Sequence, residues 1–251
     1  MRLMKRILSA AAVLALSASL LVGCSSGTAS SVPVSASSAA ESTVSSVEET
    51  ASSAVDENEA AAAQLLNDLT GSYQELWPVI LADEYKQTWL DDCTALVGED
   101  NAEAAFEKLS SMVTGDVYGE DAVKAYANGG GAYFCGFTNS LAILTFDGET
   151  STISGTDKDG NVLFSHTYHY IGMEPVRGLY EFESDDADSG EFTYFFLAPD
   201  TSAETYHIEF RYGSDAEALS QYDAGEYAYW VASGISTDCD QTMIDNCIEL
   251  F

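Results

Sequence analysis

Val162-Leu-Phe-Ser-His-Thr-Tyr-His-Tyr-Ile171 changes side-chain character with a period of two. Leu163, Ser165, Thr167 and His169 fall on one face, and Phe164, His166 and Tyr168 on the other. Ten residues without Gly or Pro, rich in aromatic and branched side chains, predict a β-strand. Working outward, the same period marks 132–138, 140–146, 150–155, 178–184, 191–198 and 205–212. Asp147-Gly148 is a hairpin signal, and Asp157-Lys-Asp-Gly160 and Asp185-Asp-Ala-Asp-Ser-Gly190 separate further strands. Seven strands joined by short turns predict an antiparallel sheet that closes to protect its edges.

The flanks read differently. Tyr73-Gln-Glu-Leu-Trp-Pro-Val-Ile-Leu81 repeats apolar residues at helical spacing, with Pro78 expected to break or restart the helix. Asp100-Asn101 is placed to cap a helix over 102–112, whose Ala105, Phe106, Leu109 and Met112 form one stripe. A shorter helix is expected over 121–127, stopped by Gly129-Gly-Gly131. The segments 214–222 and 239–251 read as helices again. The expected class is mainly β with added helices.

Charge excludes some functions. Nine basic residues against 41 acids give a formal net charge of −32 over 251 residues. A nucleic-acid binder neutralises phosphates with Lys and Arg, which this chain lacks, and anionic lipid headgroups would repel it. Cations are what so acidic a surface attracts. No G-x-G-x-x-G, P-loop or G-x-S-x-G occurs, and no motif singles out a nucleophile, so a non-enzymatic function is expected.

The N-terminus reads as an address. Arg2, Lys5 and Arg6 precede an uncharged run over 7–22 that closes on Leu21-Val-Gly-Cys24, an export signal ending like a lipobox. Residues 1–23 are expected to be removed and Cys24 lipidated, placing the chain on the extracytoplasmic face of the cell membrane. Six basic residues then face 41 acids, a net −35. Residues 24–63 read as a Ser/Ala-rich tether: 25–63 holds 12 Ser, six acids, one Pro and no aromatic or basic residue, too little apolar surface to offset its ordering entropy. Its later part, 57–69, is Ala-rich and able to start a helix. The folded domain is expected to span 64–251.

Four Cys fall in that domain: Cys93, Cys135, Cys239 and Cys247. Export permits disulfides, at least one bridge is expected, and three pairings are open. No C-x-x-C spacing supports a four-thiol zinc site. Asp157-Lys-Asp-Gly-Asn161 begins like a calcium loop, but its Gly comes too early and no closing Glu follows, so it reads as an exposed turn.

A set of blocks in fixed order carries a family resemblance. Gly71-Ser-Tyr-Gln-Glu-Leu-Trp-Pro78 is followed by Ile153-Ser-Gly155 and Phe164-Ser-His-Thr-Tyr-His-Tyr-Ile-Gly172. Arg177-Gly-Leu-Tyr-Glu-Phe-Glu183 comes next, then His207-Ile-Glu-Phe-Arg-Tyr-Gly213 with Glu217-Ala-Leu219 behind it. Together they resemble the ZinT (YodA) family over most of 71–251. The resemblance implies a lipocalin-like (calycin) antiparallel β-barrel with added helices, in an exported protein that binds zinc and assists metal uptake. The implied partners are a metal ion and a metal-uptake ABC transporter or its binding protein.

The family's metal site uses a His-x-His pair on one strand and a third His just upstream. Here the pair reads His207-Ile208-Glu209, and the upstream position falls near Ala198. The family's His-rich loop is absent, since the chain has three His in all. Residues two apart on a strand share a face, so His207 and Glu209 are expected to grip one ion, with His169 as the third ligand. A different expectation is a barrel that has lost its metal and binds a small ligand, peptide or envelope partner, drawing on 14 Tyr, 11 Phe and 3 Trp.

Overall fold

In the computed structural model, residues 57–200 and 202–251 are described. Strand alternation sorts the aromatic residues inward. Phe146, Phe164, Tyr168, Phe182, Phe195, Phe210 and Tyr212 are all buried in one cluster with Leu144, Ile153, Ile208 and Trp230. Their rings are in mutual contact: Phe195 lies 5.4 Å from Tyr212, and Phe164 lies 4.0 Å from Phe192. Each such pair contributes about 0.5–1.5 kcal/mol beyond the area it buries.

Eight strands enclose this cluster as a closed barrel in which each pairs antiparallel with its neighbours in sequence. They are β1 (Gly71–Glu75), β2 (Ile143–Asp147), β3 (Thr152–Thr156), β4 (Val162–Met173), β5 (Tyr180–Ser184), β6 (Tyr194–Leu197), β7 (Ile208–Gly213) and β8 (Ala232–Ser236). β1 closes the ring by pairing with both β2 and β8, as in Tyr73↔Leu144 and Tyr73↔Ser236. The lipocalin-like antiparallel barrel expected from the sequence is the fold observed.

The differences lie at the closure. Tyr73–Glu75, the start of the stretch expected as helix, belongs to β1 instead; helix α2 (Leu76–Ile80) starts only after it, with Pro78 at its third position. There the missing N–H costs nothing, because the first turn of a helix leaves its donors without internal partners. β8 was not expected as a strand. Its Ala-Ser-Gly-Ile-Ser236 sequence is small because the closure is tight: a Cβ on Gly234 would stand 3.1 Å from Ile208 and 3.3 Å from Tyr73. Conversely, 132–138 is no strand. Its backbone is spent on scattered partners, with Tyr133 N–H donating to Met112, Phe134 N–H to Tyr229, and the Cys135 carbonyl accepting from Ser233.

A helix over 57–68, α1, precedes β1, so the expected boundary near Gln64 falls inside it, and Ala62, Leu65, Leu66 and Leu69 are buried. Four more helices lie between β1 and β2: α2, α3 (Lys86–Val97), α4 (Glu99–Val113) and α5 (Glu120–Ala127). α3 and α4 pack together, with Phe106 of the expected stripe 6.0 Å from Trp89. Short helices α6 (Ser202–Thr205) and α7 (Ala216–Leu219) flank β7, and α8 (Gln241–Ile248) follows β8. Asp215 and Asp240 cap α7 and α8 by accepting from Ala218 N–H and Met243 N–H at 3.0 and 2.9 Å. The Asp157 turn is closed on itself, with the carboxylate accepting from the Asp159 and Asn161 backbones and the Asn161 side chain.

The β2–β3 hairpin docks on α1. Gly148 N–H donates to Thr70 Oγ1 at 3.0 Å, and a Cβ on Gly148 would collide with the Asn67 backbone. Gly148→Val therefore forces α1 away from the barrel end and is expected to cost about 1–3 kcal/mol. A urea unfolding midpoint unchanged from wild type would contradict this docking.

Candidate metal-binding face

β7 sends Ile208, Phe210 and Tyr212 into the barrel, so Glu209 and Arg211 take the opposite, outer face, and His207 is the residue just before the strand. This face is covered by other segments, and each of the three polar residues meets a different one. His207, half-buried, has Nδ1 2.8 Å from the Thr205 carbonyl and 3.8 Å from Sγ of Cys247 on α8. Glu209 lies beside Cys135. Burial pushes that thiol up to about 12, with the Glu209 charge adding to the rise, while a contact with the Trp77 indole opposes it.

Arg211 is fully buried. Its guanidinium lies 4.3 Å from the centroid of the Tyr222 ring and donates to the carbonyls of Leu219, Gln221 and Tyr227. Arg177 approaches the same ring at 4.4 Å, so both arginines of the barrel domain converge on one tyrosine. Tyr222 hydroxyl donates to Glu174 at 3.4 Å, and buried Glu174 in turn accepts from Val176 N–H and Arg177 N–H at 2.7 and 2.6 Å. Burial lowers the Arg211 pKa, and Tyr222 offsets part of that shift.

The expected third ligand is elsewhere. His169 pairs with Glu183, Glu183 with Tyr194, and Tyr194 with Gly213. This row meets β7 six residues from His207, about 20 Å along the strand at 3.3 Å per residue. His169 is on the barrel's exposed outer face, with Nδ1 2.8 Å from Asp185 Oδ1. The Thr167 hydroxyl, and then His169, hold the Asp185 carboxyl below its ordinary range. His166 likewise pairs with Asp186 at 2.8 Å. The parity read from the sequence placed His169 opposite Phe164 and Tyr168 correctly, but the row it occupies removes it from the His207 site.

Ala198 N–H donates to the Glu209 carbonyl at 3.0 Å, so this position lies directly beside β7, with a methyl group where the family has an imidazole. The structure thus brings 198, 207 and 209 together, and two of the three carry a side chain able to hold a metal. The family's three-imidazole set does not assemble. Among the described residues no group of three or more His, Cys, Asp and Glu is arranged to hold a metal ion. Cys24 lies outside the described residues, and among those described no helix is long and apolar enough to cross a membrane.

All four domain cysteines are free thiols, correcting the expected bridge. Cys93 is buried on α3, Cys135 faces Glu209, and Cys247 faces His207. Cys239 precedes the Asp240 cap of α8, and Cys247 lies within that helix.

No family model matches the chain, and no curated protein matches it significantly. Among solved structures, one similar chain is the Zn(II)-bound ZinT-like domain of Streptococcus pneumoniae AdcA, at 16% identity and a TM-score of 0.47. That likeness covers 74% of this chain and 89% of that one. Zn(II)-bound AdcA from the same organism gives 15% identity and a TM-score of 0.44, covering 72% of this chain and 34% of AdcA. The barrel assignment rests on the strand pairing itself.

Two measurements check the face. Arg211→Ala strips the carbonyls of Leu219, Gln221 and Tyr227 of a buried donor and is expected to cost about 3–5 kcal/mol in urea unfolding. Exposed Arg177→Ala is expected to cost under about 1 kcal/mol. Burial also pushes the Cys247 thiol up to about 12. In the folded chain at pH 8, half-exposed Cys239 should therefore alkylate well before Cys135 and Cys247; equal rates at all three would refute the burial described.

Proposed function

We propose that this chain is a non-enzymatic, extracytoplasmic metal-binding lipoprotein. It is anchored through lipid on Cys24, takes up zinc at His207, and passes it to a metal-uptake ABC transporter or its binding protein. One observation carries the reading: positions 198, 207 and 209 share one neighbourhood on the outer face of the barrel, where the sequence resemblance puts a metal site, and His207 and Glu209 retain ligand side chains. An imidazole and a carboxylate are both competent zinc ligands, and an incomplete protein set leaves positions open for water, which suits an ion that is received and handed on. The dense negative charge raises the local cation concentration around the domain.

The packing of aromatic rings through the barrel core speaks against a small ligand held inside it. A peptide or envelope partner is favoured by a different observation, a groove of about 360 Å³ outside the barrel lined by Trp77, Pro78, Leu81, Val113, Phe134 and Cys135.

Zinc titration calorimetry on the full chain separates these readings. His207→Ala is expected to weaken zinc at least about tenfold, roughly 1.4 kcal/mol, and His169→Ala to leave it unchanged. Ala198→His adds the imidazole the family has at that place and should tighten binding by a similar factor. Wild type, His207→Ala and Ala198→His with one common affinity would place any bound zinc on surface carboxylates and end the proposal.

A further inference from the structure

The geometry points to Cys247 as a thiolate ligand of the metal held at His207, which makes this a mixed imidazole–thiolate site. This inference rests on the reading that His207 binds metal. For a tetrahedral ion with a metal–sulfur distance of about 2.3 Å and a metal–nitrogen distance of about 2.0–2.1 Å, sulfur and nitrogen lie about 3.6 Å apart. Cys247 Sγ stands 3.8 Å from His207 Nδ1, so the two donors have close to the spacing a bridging ion needs once Nδ1 is released from the Thr205 carbonyl. The two atoms come from separate parts of the chain, the residue just before β7 and the second turn of α8, and α8 packs against α2 and α3.

The surroundings suit such an ion. The Cys247 thiol, with its S–H proton, is fully buried on a helix that also buries Ile244 and Ile248, which keeps the site away from bulk water. Loading releases that proton: the sulfur–hydrogen bond breaks, a sulfur–metal bond forms, and one proton leaves for each ion bound. On the imidazole, Nδ1 gives up its contact with the Thr205 carbonyl, and the ring proton moves to Nε2. The other buried thiol nearby, Cys135, faces the Glu209 carboxylate rather than an imidazole. Thiolate plus imidazole selects borderline and soft cations, zinc and cuprous ion, over magnesium, calcium and manganese.

Cobalt(II) is the probe, because thiolate ligation gives it an intense near-ultraviolet charge-transfer band that oxygen and nitrogen ligands do not. The full chain should show this band. Cys247→Ser and His207→Ala should abolish it, and Cys135→Ser and Cys239→Ser should keep it. Zinc affinity should fall at least tenfold in Cys247→Ser, with no binding of magnesium or calcium to wild type in the same range. A chain keeping Cys247 as its sole thiol, with Cys24, Cys93, Cys135 and Cys239 changed to Ser, guards against a Cys247→Ser variant that fails to fold: a band there supports the site, and its absence overturns it. Cobalt bound without the band, and lost in His207→Ala, would overturn the thiolate ligand and leave the metal reading standing. No binding, or binding equal in every variant, would overturn both.

Discussion

Arg211 sits with no exposure to water in a chain whose charge is overwhelmingly negative, yet no carboxylate touches it directly. Its charge is spread instead over three backbone carbonyls and the face of Tyr222, whose hydroxyl reaches Glu174. A buried cation demands that its charge be answered and its donors used; here both terminal nitrogens are satisfied, while Nε has no hydrogen-bond partner among the described residues. Those demands fix the loop 219–227 and the 174–177 turn against β7 at the same time. The outer face of β7 is therefore built from the guanidinium outward, and the neighbouring His207 and Glu209 inherit a rigid strand. The ion pairs on the helices do much less. Lys86–Glu103 and the Lys124 pairs are exposed, where solvent and salt screen them.

The middle of the barrel was legible because period two is a local property. β2 through β7 each carry their own alternation, and Asp147-Gly148 and the Asp157 turn mark their ends within a few residues. β1 and β8 were not legible, because nothing in Gly71–Glu75 or Ala232–Ser236 announces a strand until both partners are present. Tyr73 alone carries the inward signal of β1, and Gly234 is small only because Ile208 and Tyr73 crowd it. The same distinction runs through the candidate site. That His207 and Glu209 share a face follows from spacing. That His169 lies three strands away follows from register, which spacing does not contain. Cys247 is invisible for the same reason: 40 residues separate it from His207, and the placement of α8 brings them together.

Burial also sets the reactivity of the free thiols. Burial keeps Cys135 and Cys247 protonated, and a protonated thiol is a poor nucleophile toward oxidants and disulfides. The chain thus avoids wrong pairings without the help of right ones, and its stability has to come from the aromatic core and the closed ladder.

The order of elements also decides how the domain bears load. A pull arriving from residues 1–56 enters at α1 and passes at once to β1, the strand that joins the two ends of the sheet. Strand β1 holds three residue pairs with β2 and three with β8, so force divides between two seams on either side of one strand. The docking of α1 on Gly148, through Thr70, stands in front of both. Under such a pull the helix would peel from the hairpin first, and the cylinder would open only when its first stave is drawn out.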